Sequence, residues 1–233
     1  TNRGRGEVST MSNGSWKQWR VPAGLLALSV VPMVAGASRL NQLASDATVT
    51  EANARFFDQP LPVVLHIVGA SIFCVLGAFQ FVPSLRRRAW HRVAGRIALP
   101  MGLVASLSGR WMTFFYDWPA GDELSLAVVR VVVGVGMTAA LVLALVAVRR
   151  RDFRSHRAWV TRGYALGLGA GTQVFTHLPW IIATGHAPLG WPRTVLMALG
   201  WGINLAVAEW AIRRRPMGAP VPRPARRLER QAA

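Results

Sequence analysis

The stretch LPVVLHIVGASIFCVLGAFQFVPSLRRRAWHRVAGR, residues 61–96, decides how the rest of the chain is read. Its first 25 residues, 61–85, carry no formal charge, and it then turns basic at Arg86, Arg87, Arg88, Arg92 and Arg96. About 20 apolar residues in a helix, at 1.5 Å each, cross the roughly 30 Å hydrocarbon core of a bilayer. An arginine cluster directly against such a run marks the cytoplasmic end of a span. The run is too long for a barrel strand and lacks the two-residue alternation of one.

The same pattern repeats along the chain. Spanning helices are expected over roughly 21–40, 61–83, 94–115, 125–148, 158–184 and 191–212. Turn-forming stretches separate them: DQPLP (58–62), DWPAGDE (117–123) and TGHAPLGWP (184–192). The fold class expected is all-α, a polytopic membrane protein with six transmembrane helices in a bundle and both termini cytoplasmic. Backbone polar groups in lipid must be satisfied within their own segment, which is why helices are the natural choice.

Bulk numbers agree. The 233 residues are 52% hydrophobic with a mean hydropathy of +0.30, yet the net charge is +17, from 27 Lys and Arg against 10 Asp and Glu. Such values coexist only if charge and apolar surface are segregated along the chain. Nucleic acid is not the expected partner of these bases, because their clusters flank spans of membrane length. The expected partner is a bilayer with anionic headgroups at the basic loops. Arg86 to Arg88, Arg149 to Arg151 and Arg213 to Arg215 fall on one side of a six-helix arrangement with Lys17 and Arg20. Asp46, Glu51, Asp58, Asp117, Asp122 and Glu123 fall on the other. Trp16, Trp19, Trp90, Trp159 and Trp210 belt the inner boundary, and Trp111, Trp118, Trp180 and Trp191 the outer one, with Trp201 alone near mid-span. The localisation expected is a bacterial cytoplasmic membrane, crossed several times.

Three parts follow. Residues 1–20 form a cytoplasmic N-terminal segment, with 1–10 set aside because Met11 reads as a natural start. Residues 21–212 form the transmembrane domain. Residues 213–233 form a Pro- and Arg-rich cytoplasmic tail without apolar periodicity, expected to be disordered. The loop from Asn41 to Pro60 is the longest on the outer side and can hold a short surface helix. The single cysteine, Cys74, excludes an intrachain disulfide and reads as a packing residue.

The motif from His66 through Gln80, Arg86, His91 and Gly95 to Arg96, followed by HRAWVTRGYAL (His156 to Leu166, with Trp159 and Arg162), resembles a family of predicted bacterial membrane proteins known as domain of unknown function 2306. The likeness covers roughly residues 60–185. It implies a multi-span membrane protein and no particular activity.

Ionisable groups inside a span are costly and mark candidate sites. His66 and His177 lie about two turns from the outer ends of their spans. Two imidazoles facing each other across a bundle can ligate haem iron, so haem b is the cofactor such a pair would hold. The plainer reading is a pair of hydrogen-bonding histidines. His91 and His156 sit at inner helix mouths and could form a second layer. The 21 residues between His156 and His177, about 31 Å of helix, set the layers too far apart for two cooperating haems. Their plainer role is interfacial, with headgroups or helix ends. Arg96 and Arg162 are expected to snorkel. Arg110 and Arg130 are expected to pair with Asp117, Asp122 or Glu123, and Glu209 with Arg213 four residues on. Asn204 and Gln173 read as interhelical hydrogen-bonding residues. Gly163, Gly167 and Gly171 recur every four residues, a face for close helix packing that makes the fifth span central.

No pair of spans carries the interruptions of inverted-repeat transporters. A phosphate-binding loop, a zinc-protease motif and a nucleophile elbow are likewise missing from the sequence. The leading reading is an integral membrane protein without an assigned activity. A haem-binding electron carrier and a small-molecule transporter or channel are the alternatives. The scarcity of acids within the spans weighs against proton coupling.

Overall fold

The computed structural model describes residues 18–45, 47–86 and 88–214. The expected disordered tail beyond Arg214, the N-terminal segment with Trp16 and Lys17, and Asp46, Arg87 and Arg215 lie outside the described residues. The described chain is all-helical: α1 (Arg20–Ala44), α2 (Ala54–Asp58), α3 (Pro60–Gln80), α4 (Ala89–Phe115), α5 (Leu124–Arg149), α6 (Phe153–Gly167), α7 (Gly169–Thr184) and α8 (Gly190–Arg213). A 3-10 turn, Pro83–Leu85, links α3 to α4. The short helix α2 fills the loop in which a surface helix is expected.

Four of these helices, α1, α3, α5 and α8, are long and apolar enough to cross a membrane. α4 has the length, 27 residues, but carries Arg92, Arg96 and Arg110. Large apolar side chains on the outside of the bundle, such as Val34, Val68, Val132 and Val207, are more than 40% exposed. An apolar surface this extensive on packed helices is what lipid, not water, would cover.

The expected fifth span is not one helix. It is broken at Leu168, whose ψ is −1°, into α6 of 15 residues and α7 of 16. Glycines on both sides explain the break. A Cβ on Gly169 would strike the indole of Trp201, and one on Gly171 would strike the carbonyl of Leu28. Asn204 of α8 donates to the carbonyl of Ala165 at 3.1 Å, and Thr172 donates to Asn204 Oδ1 at 2.6 Å. Side chains thus satisfy polar groups beside the break, as helix interruptions in a membrane require. Trp201, the one tryptophan away from both belts, is the side chain packed onto it.

The turns are locally encoded. After α5, Arg151 adopts a left-handed φ of 60°. The amide of Asp152 donates to Ala147 O at 2.9 Å and that of Arg151 to Val148 O at 3.0 Å, a paired closure of the helix end. Asp152 then caps α6 by accepting from the Ser155 amide at 3.0 Å. The Ser155 hydrogen bonds, side chain first, hold the Asp152 carboxyl below its ordinary range. Gly185, at φ 76°, ends α7.

The long helices alternate in direction, with the broken pair α6–α7 counting as one. α3 packs on α4, α5 on α6, α7 on α8, and α1 on α3 and α7. Loops 45–59, 116–123 and 185–189 gather at one end, called here the acidic end; residues 81–88 and 150–152 lie at the other, the basic end. The core is built from Phe73, Ala78, Met137, Leu141, Tyr164, Leu166 and Leu168. The Tyr164 hydroxyl donates to Cys74 O at 2.7 Å.

Candidate functional site

Between α1, α3, α4, α5 and α7 lies a cavity of about 440 Å³. Its floor is mostly apolar, built from Phe73, Cys74, Met137, Leu168, Met197 and Trp201, and takes in two polar side chains that donate to backbone carbonyls, Ser29 to Leu25 O and Gln173 to Met197 O. From this floor it runs to the loop at the acidic end, where Tyr116, Asp117 and Trp118 line it. Along α4 and its C-terminal cap it follows Ala105 to Tyr116, a rise of about 16 Å. Small residues hold it open, among them Gly36, Gly109, Gly134, Gly167 and Gly171.

The polar lining is concentrated toward the acidic end: His66, Arg55, Ser106, Arg110, Thr113, Tyr116, Asp117 and Arg130. His66 Nδ1 lies 2.8 Å from Ala105 O. A carbonyl can only accept, so Nδ1 carries the proton and the Nε2 lone pair is left over in the neutral ring. Ser106 donates to Gly134 O at 2.8 Å and lies 2.8 Å from Thr138 Oγ1, joining α4 to α5. The Tyr116 hydroxyl donates to Gln59 O at 2.5 Å, and burial raises its pKa. Burial and the neighbouring Arg39 lower that of Arg55.

Asp122, its side chain 1% exposed, pairs with both Arg130 and Arg193 at 2.7 Å. The pairing expected for Arg130 is therefore present, and Arg193 completes it. The pairing expected for Arg110 is not: its guanidinium has no hydrogen bond or ion pair among the described residues. The sequence around it explains why, since Ser106, Leu107, Thr113 and Phe114 occupy the positions where a helical partner would sit. The acidic end therefore also holds Arg39, Arg55, Arg110, Arg130 and Arg193, and its acids do not stand alone.

The other predicted residues divide by place. His177 does not line the cavity; its Nδ1 lies 2.8 Å from Gln173 O of its own helix and 3.3 Å from Thr176 Oγ1. At the basic end, His156 Nδ1 lies 2.8 Å from Ala144 O. His91 Nδ1 and Gln80 Nε2 are buried without a hydrogen-bond partner among the described residues. Arg86 reaches Phe81 O at 3.4 Å, and Arg96 is exposed. Arg162 has a partner that its place in the sequence does not reveal. It forms a two-pronged pair with Glu209 of α8, Nε to Oε1 at 2.5 Å and Nη2 to Oε2 at 3.1 Å, and lies over the Trp159 ring at 4.6 Å. Arg213, the partner expected for Glu209, is the more distant one at 3.9 Å. Gln173 bonds to Met197 O at 3.1 Å across to α8, as expected of an interhelical group. Among the described residues, no group of three His, Cys, Asp or Glu side chains could hold a metal ion.

Gly163, Gly167 and Gly171 do form close contacts, but with three different neighbours. A Cβ on Gly163 would come within 2.9 Å of Leu141, and one on Gly167 within 2.7 Å of Phe73. Gly171 abuts Leu28, as above. The broken span is therefore central, as the spacing implies.

An all-helical chain whose long helices turn apolar faces outward around a partly polar interior is a membrane protein. A family model described as predicted membrane protein (DUF2306) matches residues 63–212, from within the first turn of α3 through nearly all of α8. The chain belongs to this family, whose function is unknown. No curated protein matches the chain, and no solved structure does.

Proposed function

We propose that this is a six-crossing protein of a bacterial inner membrane, with both termini cytoplasmic, that binds a small molecule in the cavity between α1, α3, α4, α5 and α7. The observation that carries the reading is the cavity itself. Its volume of about 440 Å³ lies within the range of small-molecule sites, and its lining is mostly apolar with a few polar groups gathered toward one end. α4 and the broken pair α6–α7 supply the crossings beyond the four strongly apolar helices. Arg86, Arg88, Arg149, Arg150, Arg151 and Arg154 favour a cytoplasmic basic end beside anionic lipid. The acidic end, and with it the polar end of the cavity, then faces outward.

Sidedness is testable in a Cys74→Ala background. Ala187→Cys and Ser84→Cys place thiols at exposed sites of the acidic and basic ends. An impermeant maleimide added to spheroplasts labels the first and spares the second until the membrane is opened. Labelling of Ser84→Cys in intact spheroplasts would reverse the orientation.

A haem reading has one observation in its favour. His66 projects into the cavity with Nδ1 held by a carbonyl, which is how a metal-ligating imidazole is oriented. His177 does not share the cavity, so the bis-histidine pair loses its second member there. Oxidised and dithionite-reduced visible spectra decide it: a Soret band lost in His66→Ala supports haem, and a colourless protein refutes it.

A further inference from the structure

Among the described residues, the cavity pairs a cation that has no counter-charge with a mostly apolar floor, and this combination defines a ligand class. Resting on the reading of the cavity as a ligand site, we propose that it binds a single-chain amphiphile with a compact anionic head, a carboxylate or a phosphate, seated against Arg110.

Four observations carry this. Arg110 is half-buried, lines the cavity and has no carboxylate among the described residues. Its position is built: the side chain crosses α5 at Gly134, where a Cβ would come within 2.7 Å of its Cγ and 3.0 Å of its Cδ. Any larger residue at 134 would displace the guanidinium. The charge around it is in surplus. Among the described residues, Arg55, Arg110 and Arg130 line the cavity with one acid, the exposed Asp117, while Asp122 is shared between Arg130 and Arg193. A partly buried guanidinium without a counter-charge is costly, and an anionic head would supply both the charge and acceptors for its forked N–H donors. The fourth observation is the floor. Met33, Met137 and Met197, with Phe73 and Trp201, make an apolar lining that flexible thioethers can adapt to an alkyl chain. Phe73 of the floor abuts Gly102, eight residues or about 12 Å along α4 from Arg110, a length that suits a chain lying along the helix.

A free inorganic anion would use Arg110 but leave the floor empty. An uncharged or cationic amphiphile would use the floor but leave Arg110 unpaired. Native mass spectrometry of the full chain in mild detergent separates these. The protein is titrated with decanoate, decyl phosphate, decanol, decyltrimethylammonium and inorganic phosphate. The expected result is one bound decanoate or decyl phosphate, with decanol, the cation and free phosphate each at least about tenfold weaker. Arg110→Gln should bring decanoate down to the level of decanol, Arg110→Lys should retain part of the preference, and Arg96→Gln at the opposite end should change nothing. Equal binding of decanol and decanoate to the wild-type protein would overturn the anionic head while leaving the cavity a ligand site. Tight binding of phosphate alone would overturn the amphiphile. Binding of none of the five would remove the ligand-site reading with it. The wild-type comparison does not depend on any variant folding.

Discussion

The α6–α7 pair and α8 are both built largely from small and apolar residues, and they are used in opposite ways. From Gly163 to Gln173, across the break at Leu168, every residue is buried except the half-buried Gly167 and the exposed Ala170. This segment carries Thr172, Gln173 and four glycines. In α8, long and apolar enough to span by itself, only 11% of the most apolar window is buried, and the same holds for α1. In water the more apolar helix would be the inner one. In lipid the hydrocarbon outside is as apolar as any core, so helices associate through close packing and hydrogen bonds. Small and polar residues therefore mark the interior, and strong hydropathy marks the periphery.

This contrast can be broken by substitution. The largest effect is expected for Gly171→Val, because the new side chain meets the Leu28 carbonyl, a backbone atom that cannot swing aside. A loss of about 3 kcal/mol or more follows, enough to remove the monodisperse peak in size-exclusion chromatography. Glu209→Gln comes next. It unpairs Arg162 from α8 at side chains 28% and 31% exposed. With that partial exposure discounted, about 1–2 kcal/mol is lost, read as a lower Tm. Tyr164→Phe keeps the ring against Phe73 and Phe81 but removes the hydrogen bond to Cys74 O. It should cost about 1 kcal/mol in the same melt. The smallest effect is expected for Gly202→Leu on α8, where a Cβ would meet nothing within 4 Å. Its Tm should match the wild type, and a large drop would mean that this face is covered by another molecule.

Much of the fold is legible in the sequence because long apolar runs bounded by arginine, tryptophan and turn residues report helices directly. The break at Leu168 is not. The glycine spacing around it signals close packing, but it does not say that Gly163, Gly167 and Gly171 each meet a different helix, and only their combined demands explain the interruption. Partners of buried charges are harder still. Glu209 has a base four residues away in sequence, yet a bidentate contact with Arg162 is geometrically better and lies 47 residues off. His66 was visible as a polar group in a span, and the structure places it in the cavity. Arg110 carries the sharper signal, an arginine near the end of a span with no acid on its own helix face. Arg55 and Tyr116 come from loop and helix-end positions that only tertiary packing brings to the same rim.

The proposed site is a cavity entered from the acidic end and filled by a ligand. Thr113 lines it near that end, and among the described residues its hydroxyl bonds only to Gly109 O of its own helix, at 2.9 Å. Thr113→Cys in the Cys74→Ala background gives one reporter thiol in the cavity. The decisive measurement is its rate of reaction with a small charged methanethiosulfonate, applied separately to right-side-out and inverted vesicles, with and without decanoate. Reaction in right-side-out vesicles, absent in inverted ones and slowed by decanoate, is the predicted result. A thiol that reacts only in inverted vesicles, or at a rate decanoate does not change, would contradict it.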